Sequence, residues 1–476
     1  MKSWYLLGAA LFLTACGGGG SSDRAAPVPA AGPTVKFFPA NNGVNNFQLW
    51  KTDGTAAGTS MVKVINTGEN ADIEVLGSLG DKTVFLANDG IHGKELWVTD
   101  GTEAGTNLLK DIHVGASSTF IPSFAIAGNT LYFGAYDAVN GTELWKTDGT
   151  AAGTVMVKDI QPGANADGVS SLVSMGGSVF FSANDGTASY ELWKTDGTAA
   201  GTVMVVEIAP GPLSSGISEM ISVDGMLYFR ASDGTSGVEL WKSDGTAAGT
   251  EQIKDIAAGA SSSSPNNLVA MGGNVYFIAA ESTGQGNELW RTDGTEAGTV
   301  LVKNINPVVN NSSINNSSSK IRYLNALDDK LYFTARPDPT GNVNEVWVSD
   351  GSEAGTLPLF DADNVHYLMS TGKAILFSGW DVTNGHAMWT TDGTVAGTVF
   401  LKDIEPGAAD TDFYALGEAY FRENDARPLV EVLPGVALIA AYRSDIGVEL
   451  WKTDGTAAGT QLIKDINPDQ GNGFDL

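Results

Sequence analysis

One twelve-residue phrase, E-L-W-K-T-D-G-T-A-A-G-T with small variations, occurs nine times in this chain. Successive tryptophans of the phrase are 47, 48, 48, 48, 49, 57, 42 and 62 residues apart. The nine are Trp50, Trp97, Trp145, Trp193, Trp241, Trp290, Trp347, Trp389 and Trp451. A period near 48 residues that carries strand and turn signals, and no helical signal, indicates an array of small β-sheets.

Residues 170–208 show what one repeat encodes. Four apolar runs of strand length are separated by Gly-Gly, Asn-Asp-Gly and Asp-Gly-Thr turn sequences. The runs are residues 171–175, 178–183, 190–194 and 202–208. They predict a four-stranded antiparallel meander. Because segments such as V-F-F and V-M-V-V alternate poorly, both faces of the sheet must be covered, which favours a propeller blade between two copies of itself.

The sequence therefore predicts an all-β fold, a closed β-propeller of four-stranded antiparallel blades over residues 34–476. Nine phrases favour nine blades, and eight is the alternative because the spacing is irregular between residues 306 and 448. The first repeat begins at the run 35–38, which matches the second strand of a blade. We expect the last residues of the chain, 474–476, to supply the innermost strand of this first blade and to close the ring.

The chain is strongly acidic. It has 55 Asp and Glu against 27 Lys and Arg, a formal net charge of −28. Such a surface repels phosphate backbones, which excludes nucleic acid as an expected partner, and it suits cations, basic partners or a saline medium. We expect a monomer.

The N-terminus has the pattern of a signal peptide. Lys2 precedes an apolar run that ends in Leu-Thr-Ala-Cys at Cys16, the single cysteine. This ending resembles the lipobox of bacterial lipoproteins, which implies that residues 1–15 are removed and that Cys16 carries the lipid. Gly17 follows in place of an aspartate, which favours the outer membrane over retention at the inner one. The alternative is a simple secretory signal with an incidental cysteine.

Residues 16–33 are rich in Gly, Ser, Ala and Pro and read as a flexible tether. The sequence thus predicts a lipid-anchored protein of the bacterial outer membrane or periplasm, in contact with the membrane through its anchor alone. No disulfide is expected within the mature chain, so its stability must come from packing.

The repeated residues read as structural. A large flat ring at the same place in each blade can fill the gap between sheets, which assigns packing to Trp97, Trp145, Trp193, Trp241 and Trp290. The repeated Asp-Gly, as at Asp148, Asp196 and Asp244, reads as a turn in which Asp accepts backbone hydrogen bonds and Gly supplies a positive φ. The other interpretation is a calcium site in each hairpin, for which one carboxylate is few. No other cofactor or metal site is predicted.

The glutamate that opens the phrase is nearly as regular as the tryptophan. Gln48 and Ala387 replace it in the first and eighth repeats. We expect it to pair with a basic residue of the phrase on a neighbouring strand, such as Lys146 or Lys194.

The chain contains no recognisable catalytic motif. His92, His113, His366 and His386 do not form a zinc-protease pattern, and no G-x-S-x-G or P-loop is present. Function is therefore expected where the repeats differ. The candidate binding residues are Trp380, Asp381, His386, Tyr420 and Arg422. An exposed tryptophan with polar neighbours suits a carbohydrate or protein contact, and the alternative is that these are eroded repeats with tolerated insertions.

The phrase E-L-W-x-T-D-G-T-x-x-G-T resembles the bacterial repeat family named after it, the ELWxxDGTxxGT repeat proteins, over almost the whole chain from about Val35. The resemblance implies a secreted or surface propeller and offers no catalytic residue to transfer.

Together these observations favour a non-catalytic binding or scaffold module at the cell surface, for a protein or a polysaccharide. The alternative is a propeller enzyme, a hydrolase, lyase or cofactor-dependent oxidoreductase, with its site at the central mouth.

Overall fold

The computed structural model describes residues 35–164, 168–281, 286–306, 319–337, 344–360, 365, 368–381, 383, 385–405, 413–415, 430–433, 435–468 and 471–474. These residues form 36 strands in nine separate sheets. None of the described segments is a helix long and apolar enough to cross a membrane. Residues 1–34 lie outside the described part, so the signal peptide, Cys16 and the tether stay predictions.

The strands follow the chain blade by blade. Blades one to three contain β1 (Lys36–Asn41), β2 (Phe47–Thr52), β3 (Ser60–Lys63); β4 (Glu74–Leu79), β5 (Lys82–Asn88), β6 (Lys94–Thr99), β7 (Asn107–Lys110); and β8 (Phe124–Ala127), β9 (Thr130–Asp137), β10 (Gly141–Thr147), β11 (Val155–Lys158). Blades four to six contain β12 (Val169–Met175), β13 (Ser178–Ala183), β14 (Glu191–Thr195), β15 (Val203–Val206); β16 (Ser218–Val223), β17 (Met226–Ser232), β18 (Val238–Ser243), β19 (Glu251–Lys254); and β20 (Asn266–Met271), β21 (Asn274–Ala280), β22 (Asn287–Thr292), β23 (Val300–Lys303).

Blades seven to nine contain β24 (Arg322–Leu327), β25 (Lys330–Ala335), β26 (Glu345–Ser349), β27 (Leu357–Phe360); β28 (Leu368–Ser370), β29 (Ile375–Asp381), β30 (Gly385–Thr391), β31 (Val399–Lys402); and β32 (Phe413–Ala415), β33 (Val430–Leu433), β34 (Val436–Arg443), β35 (Gly447–Thr453), β36 (Gln461–Lys464).

Each sheet is an antiparallel meander in chain order, as the sequence predicts. The register is the same from blade to blade, with the phrase tryptophan opposite an apolar residue of the second strand, as in Trp97 opposite Phe85. A bulge interrupts the pairing with the outer strand just before that tryptophan, between Leu96 and Trp97 in blade two. In the ninth blade both β32 and β33 pair with β34.

Nine apolar clusters join the nine blades into a closed ring. Each cluster combines buried residues of two consecutive blades. The ninth joins the two ends of the chain, with Phe38 and Trp50 of blade one against Leu450 and Ile463 of blade nine. The fold is thus a nine-bladed β-propeller, and the eight-bladed alternative is wrong.

The C-terminal segment lies at this seam. Gly473 N donates to Val448 O at 2.9 Å, and Asn41 N donates to Gly473 O at 2.9 Å. The Phe474 ring stacks on that of Phe38, with centroids 5.8 Å apart. Ser215 makes the same two-sided link before the innermost strand of blade five, with Tyr190 O and Ser232 N. The described residues of blade one form three strands, and Gly473 occupies the place of Ser215, three residues before an innermost strand begins. The predicted innermost strand from residues 474–476 therefore falls mostly outside the described part.

The meander gives the ring two different faces. The turn face carries the Asp-Gly hairpins between third and fourth strands and the hairpins between first and second strands. The loop face carries the hairpins between second and third strands and the connections from one blade to the next.

Candidate functional site on the loop face

The second half of the phrase builds the turn face. In blade two, Asp100 Oδ1 accepts hydrogen bonds from Thr102 N at 2.8 Å and Thr102 Oγ1 at 2.7 Å. The hydroxyls of Thr99 and Thr106 meet at 2.7 Å and close the hairpin. The Thr102 hydroxyl contributes most to holding the pKa of Asp100 below its usual range. Asp148, Asp196 and Asp244 accept the same pair of bonds from Thr150, Thr198 and Thr246.

Steric constraints explain why both of these positions of the phrase are glycine. Gly101 has a φ of 86°, in the left-handed region that favours glycine. A Cβ on Gly105 would lie 2.1 Å from Asp100 Oδ1, closer than any real contact. The repeated carboxylate is exposed to solvent but is hydrogen-bonded within its own turn and lies against the second glycine, and we assign it to the hairpin.

The phrase glutamate ties each blade to the connection that follows it. Glu95 is fully buried, and its carboxylate accepts hydrogen bonds from Ile112 N at 2.8 Å, His113 N at 3.3 Å and Thr119 Oγ1 at 2.8 Å. Burial, only partly offset by these bonds, raises its pKa. The same burial raises the pKa of Glu143 to about 7, of Glu288 to about 8 and of Glu449 to about 7.

The predicted pairing of this glutamate with the phrase lysine is wrong. Lys146 Nζ donates to Gly197 O at 2.8 Å and Lys194 Nζ to Gly245 O at 2.9 Å, each in the Asp-Gly turn of the next blade. The strand places the carboxylate at the loop face and the ammonium at the turn face, so the two groups lie at opposite ends of the blade.

Gln48 makes the same contacts without a charge. Its Oε1 accepts from Ile65 N at 2.7 Å, and its Nε2 donates to the carbonyls of Asn45 and Asn66, each at 2.8 Å. This substitution shows that the position needs hydrogen bonds to the connection and no negative charge.

The tryptophan fills the space between blades. Trp97 packs with Leu49, Val62 and Ile65 of blade one. Lys63 from the outer strand of blade one lies above it, with Nζ 5.9 Å from the ring centroid, and donates to Thr106 O at 2.7 Å. The repeated residues are therefore occupied in holding the ring together, and a binding surface is better sought where repeats differ.

Three hairpin tips on the loop face carry exposed aliphatic side chains. Val44, Ile91 and Val139 stand at equivalent positions in blades one to three and are 81%, 69% and 76% exposed. In each tip, the side chain of an Asn or Asp two residues earlier accepts a hydrogen bond from the backbone N–H of the aliphatic residue. In blade three, for example, Asp137 Oδ1 accepts from Val139 N at 2.8 Å. Blade four has Thr187 at this position.

The connection from blade two to blade three adds two more exposed apolar residues, Val114 and Phe120, at 82% and 71% exposure. We call the five residues the apolar crest: Val44, Ile91, Val114, Phe120 and Val139. They lie at the side of the ring formed by blades one to three.

A cavity of about 340 Å³ opens beside the crest between blades three and four. Its lining residues are Phe120, Pro122, Tyr136, Thr142, Gly168, Val169, Ser170 and Tyr190. His113 supports one wall, with its ring 4.9 Å from that of Tyr136 in an edge-to-face contact. A Cβ on Gly168 would approach Thr142 to 2.9 Å, so this glycine allows the backbone to lie close to the cavity wall.

Of the residues singled out from the sequence, Trp380, Asp381 and His386 lie elsewhere on the same face. Trp380 is the second-last residue of β29 in blade eight, is 37% exposed, and pairs in register with His386, while Asp381 pairs with Gly385. The side chains of Asp381 and His386, and all of Tyr420 and Arg422, lie outside the described part. Trp380 lies in blade eight, two blades from Val44 in blade one, and is not part of the apolar crest.

Sequence reasoning missed the crest. The available signal was an aliphatic residue two positions after the Asn or Asp that caps the hairpin following the second strand, in three consecutive repeats. In the part of the chain that the structure describes, no group of three or more His, Cys, Asp and Glu is arranged to hold a metal ion.

Comparison with known proteins yields structures only. No family model and no curated protein matches this chain. The chain is similar to puromycin hydrolase at 13% identity and a TM-score of 0.37, over 73% of this chain and 53% of that one. It is similar to a prolyl endopeptidase at 12% identity and a TM-score of 0.42, over 79% and 55%.

It is also similar to the β-propeller domain of the Trilobed protease from Pyrococcus furiosus, at 11% identity and a TM-score of 0.36, over 67% and 96%. The chain spans about half the length of the first two proteins. Identities and TM-scores this low carry no conclusion about activity.

Proposed function

We propose that this protein is a non-catalytic binding module, anchored outside the cytoplasm by a lipid on Cys16, that docks a protein or a polysaccharide on its loop face. The observation that carries the proposal is the apolar crest. Large apolar side chains that gather on one exposed side of a soluble domain mark interaction surfaces, because leaving them in water costs free energy that binding recovers.

The contrast between the two faces supports this location. The turn face repeats one hairpin nine times, and its polar groups bond to each other, as Asp100 does with Thr102. The loop face has hairpins and connections of differing sequence. Variable loops on a rigid scaffold are the usual place for binding residues.

The position of the N-terminus agrees with this arrangement. Lys36 begins β1 opposite Thr52, at the turn-face end of blade one. A tether formed by residues 16–33 would leave the ring on that side, with a root-mean-square length of about 25 Å if fully flexible. A lipid on Cys16 would then hold the turn face towards the membrane and leave the loop face free for a ligand.

The proposal is tested with the full-length lipidated protein in detergent micelles, screened by biolayer interferometry against a glycan panel and a synthetic peptide panel. The double variant Ile91→Ser, Val139→Ser removes apolar area from the crest. Val395→Ser, at a 69% exposed residue beside the Asp-Gly turn of blade eight, is the matched control. We expect ligands that bind the wild type and the control and lose affinity for the crest variant. Ligands that bind all three proteins equally would contradict the proposal.

A further inference from the structure

We propose that the ligand of the loop face is a basic polypeptide segment, with an apolar side chain inserted into the cavity beside Phe120 and Lys or Arg residues on either side of it. This inference rests on the proposed binding function and specifies its partner. Three features support it: the charges around the cavity, the apolar and aromatic side chains of the cavity wall, and the aliphatic side chains of the crest.

The positive charges near the cavity are already committed to the scaffold. Lys110, just before blade three, has its Nζ 5.8 Å from the Trp145 ring centroid, and Arg230 in blade five donates from Nε to Ser218 Oγ at 2.6 Å. Between them, in residues 111–229, the Lys and Arg residues are Lys146, Lys158 and Lys194. Each Nζ donates to a carbonyl of the following blade, those of Gly197, Thr202 and Gly245, at 2.8 to 2.9 Å. All three acceptors belong to Asp-Gly hairpins, so these ammonium groups point towards the turn face.

The negative charges are distributed differently. Carboxylates stand at the ends of second strands and outer strands, where the chain enters the loop face; in blades two to four they are Asp89, Asp111, Asp137, Asp159, Asp185 and Glu207. Desolvation opposes ionisation of Asp137, but hydrogen bonds from Asn140 and Val139 outweigh it and keep its pKa below the usual range. Lys94, the lysine at this face of blade two, is paired with Glu74 at 2.9 Å. The face therefore has an excess of negative charge, which attracts and orients a cationic partner.

Two of these carboxylates belong to the cavity's own elements. Asp137 directly follows Tyr136 in β9, and Asp159 opens the connection that leads to Gly168. A side chain that enters the cavity would thus have acidic groups on the adjoining hairpin and connection. This places the expected Lys or Arg contacts within a few residues of the inserted group.

The cavity wall suits one apolar side chain. Phe120, Pro122, Tyr136, Val169 and Tyr190 supply most of it, and its volume of about 340 Å³ is of the order of a single large residue. The aromatic faces also accept the alkyl stem and the cation of Lys or Arg.

The crest favours a polypeptide over a polysaccharide. Val44, Ile91 and Val139 present only aliphatic groups, which contact apolar side chains well and make no hydrogen bonds to sugar hydroxyls. A neutral glycan could donate hydroxyl hydrogen bonds to the surrounding carboxylates, but it would form no ion pair with them, whereas Lys and Arg do both. Glycan binding is therefore kept as an outcome of the test that would overturn this inference.

The test uses three synthetic peptides on the full-length lipidated protein in micelles, measured by fluorescence anisotropy. The first is four repeats of Lys-Leu-Gly, the second replaces Lys by Glu, and the third replaces Leu by Ser. We expect the first to bind at least about tenfold more tightly than either of the others, because each lacks one half of the recognition. Its affinity should fall as salt is raised.

Variants locate the binding. Phe120→Ser and the double variant Ile91→Ser, Val139→Ser should each weaken the Lys-Leu-Gly peptide about tenfold, as expected when an anchor contact is removed. Asp159→Asn should weaken it and reduce the salt dependence. Val395→Ser and Glu103→Gln, both exposed on the turn face, should leave it unchanged.

The outcomes separate the two proposals. The polypeptide inference would be overturned if the Lys-Leu-Gly peptide bound no more tightly than the form with Ser in place of Leu. It would also be overturned if the turn-face control variants lost as much affinity for the Lys-Leu-Gly peptide as the crest variants. A glycan that binds and is lost in the crest variants would also overturn it while supporting the binding function. If no peptide and no glycan responds to the crest variants, the binding function itself is wrong.

Discussion

The ammonium group of Lys464, in the last strand of the ninth blade, lies 6.0 Å from the ring centroid of Trp50 in the first blade. The same Nζ donates to Thr59 O at 2.8 Å. The contact repeats the one between Lys63 of blade one and Trp97 of blade two, blades that are consecutive in sequence. The two ends of the chain are therefore joined by the same residues that join neighbouring blades.

Removing this lysine should loosen the ring at its seam. Lys464→Met keeps the aliphatic stem and loses a charged hydrogen bond and a cation–π contact, which together contribute about 1–3 kcal/mol. We expect a lower Tm by differential scanning calorimetry. Glu103→Gln, exposed on the turn face, is the control. A Lys464→Met protein that melts with the wild type would show that the seam contact adds nothing.

The C-terminal contact offers a second test of the seam. Phe474 is buried against Phe38, and Phe474→Ala removes most of an aromatic side chain from a core, a change that typically costs about 3–5 kcal/mol. The Tm should fall clearly, and limited proteolysis should cut the first or the ninth blade sooner than the others. Unchanged melting and cleavage would mean that the C-terminal segment is not part of the folded ring.

Stability should fall as pH rises through neutrality. Burial raises the folded-state pKa of Glu143 from 4.5 to about 7, so the folded protein holds a proton that the unfolded chain has released. The stabilisation that the folded protein gains from holding this proton is therefore complete below about pH 4.5 and is lost as pH rises through about 7. The same sign holds for Glu288 and Glu449.

The natural Gln48 indicates how to test this pH dependence. Glu143→Gln, Glu288→Gln should keep the hydrogen bonds and remove the titration, so the slope of Tm between pH 5 and pH 8 should be shallower than in the wild type. Converting the natural glutamine, Gln48→Glu, should make the slope steeper. Parallel profiles of Tm against pH for all three proteins would exclude these carboxyl groups as the cause of the pH dependence.

The second glycine of the phrase should not tolerate a side chain. A Cβ on Gly105 would overlap the Asp100 carboxylate, and relieving the overlap breaks the turn, at a cost of about 1–3 kcal/mol. Gly68→Ala is the matched control, because its nearest neighbour, Asn66 Oδ1, would be 3.9 Å away. We expect chemical denaturation to show a lower midpoint for Gly105→Ala alone. Equal midpoints would contradict the conclusion that Gly105 is needed to leave room for the Asp100 carboxylate.

Much of the ring was predictable because the phrase is local. Strand lengths, the Asp-Gly turn with its Thr partners, and the packing position of Trp97 all follow from residues close together in sequence. Nine phrases also favoured nine blades, and the structure confirms this number.

The role of the phrase glutamate was not predictable in the same way. Glu95 bonds to Ile112, His113 and Thr119, which lie in the connection to the next blade. Ile112 recurs in the K-D-I of other repeats, but the local sequence does not show that its backbone N–H lies within reach of the glutamate 17 residues before it. The apolar crest was missed for a related reason. Val44, Ile91 and Val139 are far apart in sequence, and they occupy the same face of three consecutive blades only because the blades stand side by side in a ring. The candidate at Trp380 stays a prediction.

Hydrogen–deuterium exchange with and without the Lys-Leu-Gly peptide tests the central claim, that the phrase builds the ring and the loop face binds. The account predicts slower exchange in residues 88–94, 113–123 and 137–142, and no change in the Asp-Gly turns. Slower exchange in those turns, or none at the loop face while the peptide is bound, would contradict it.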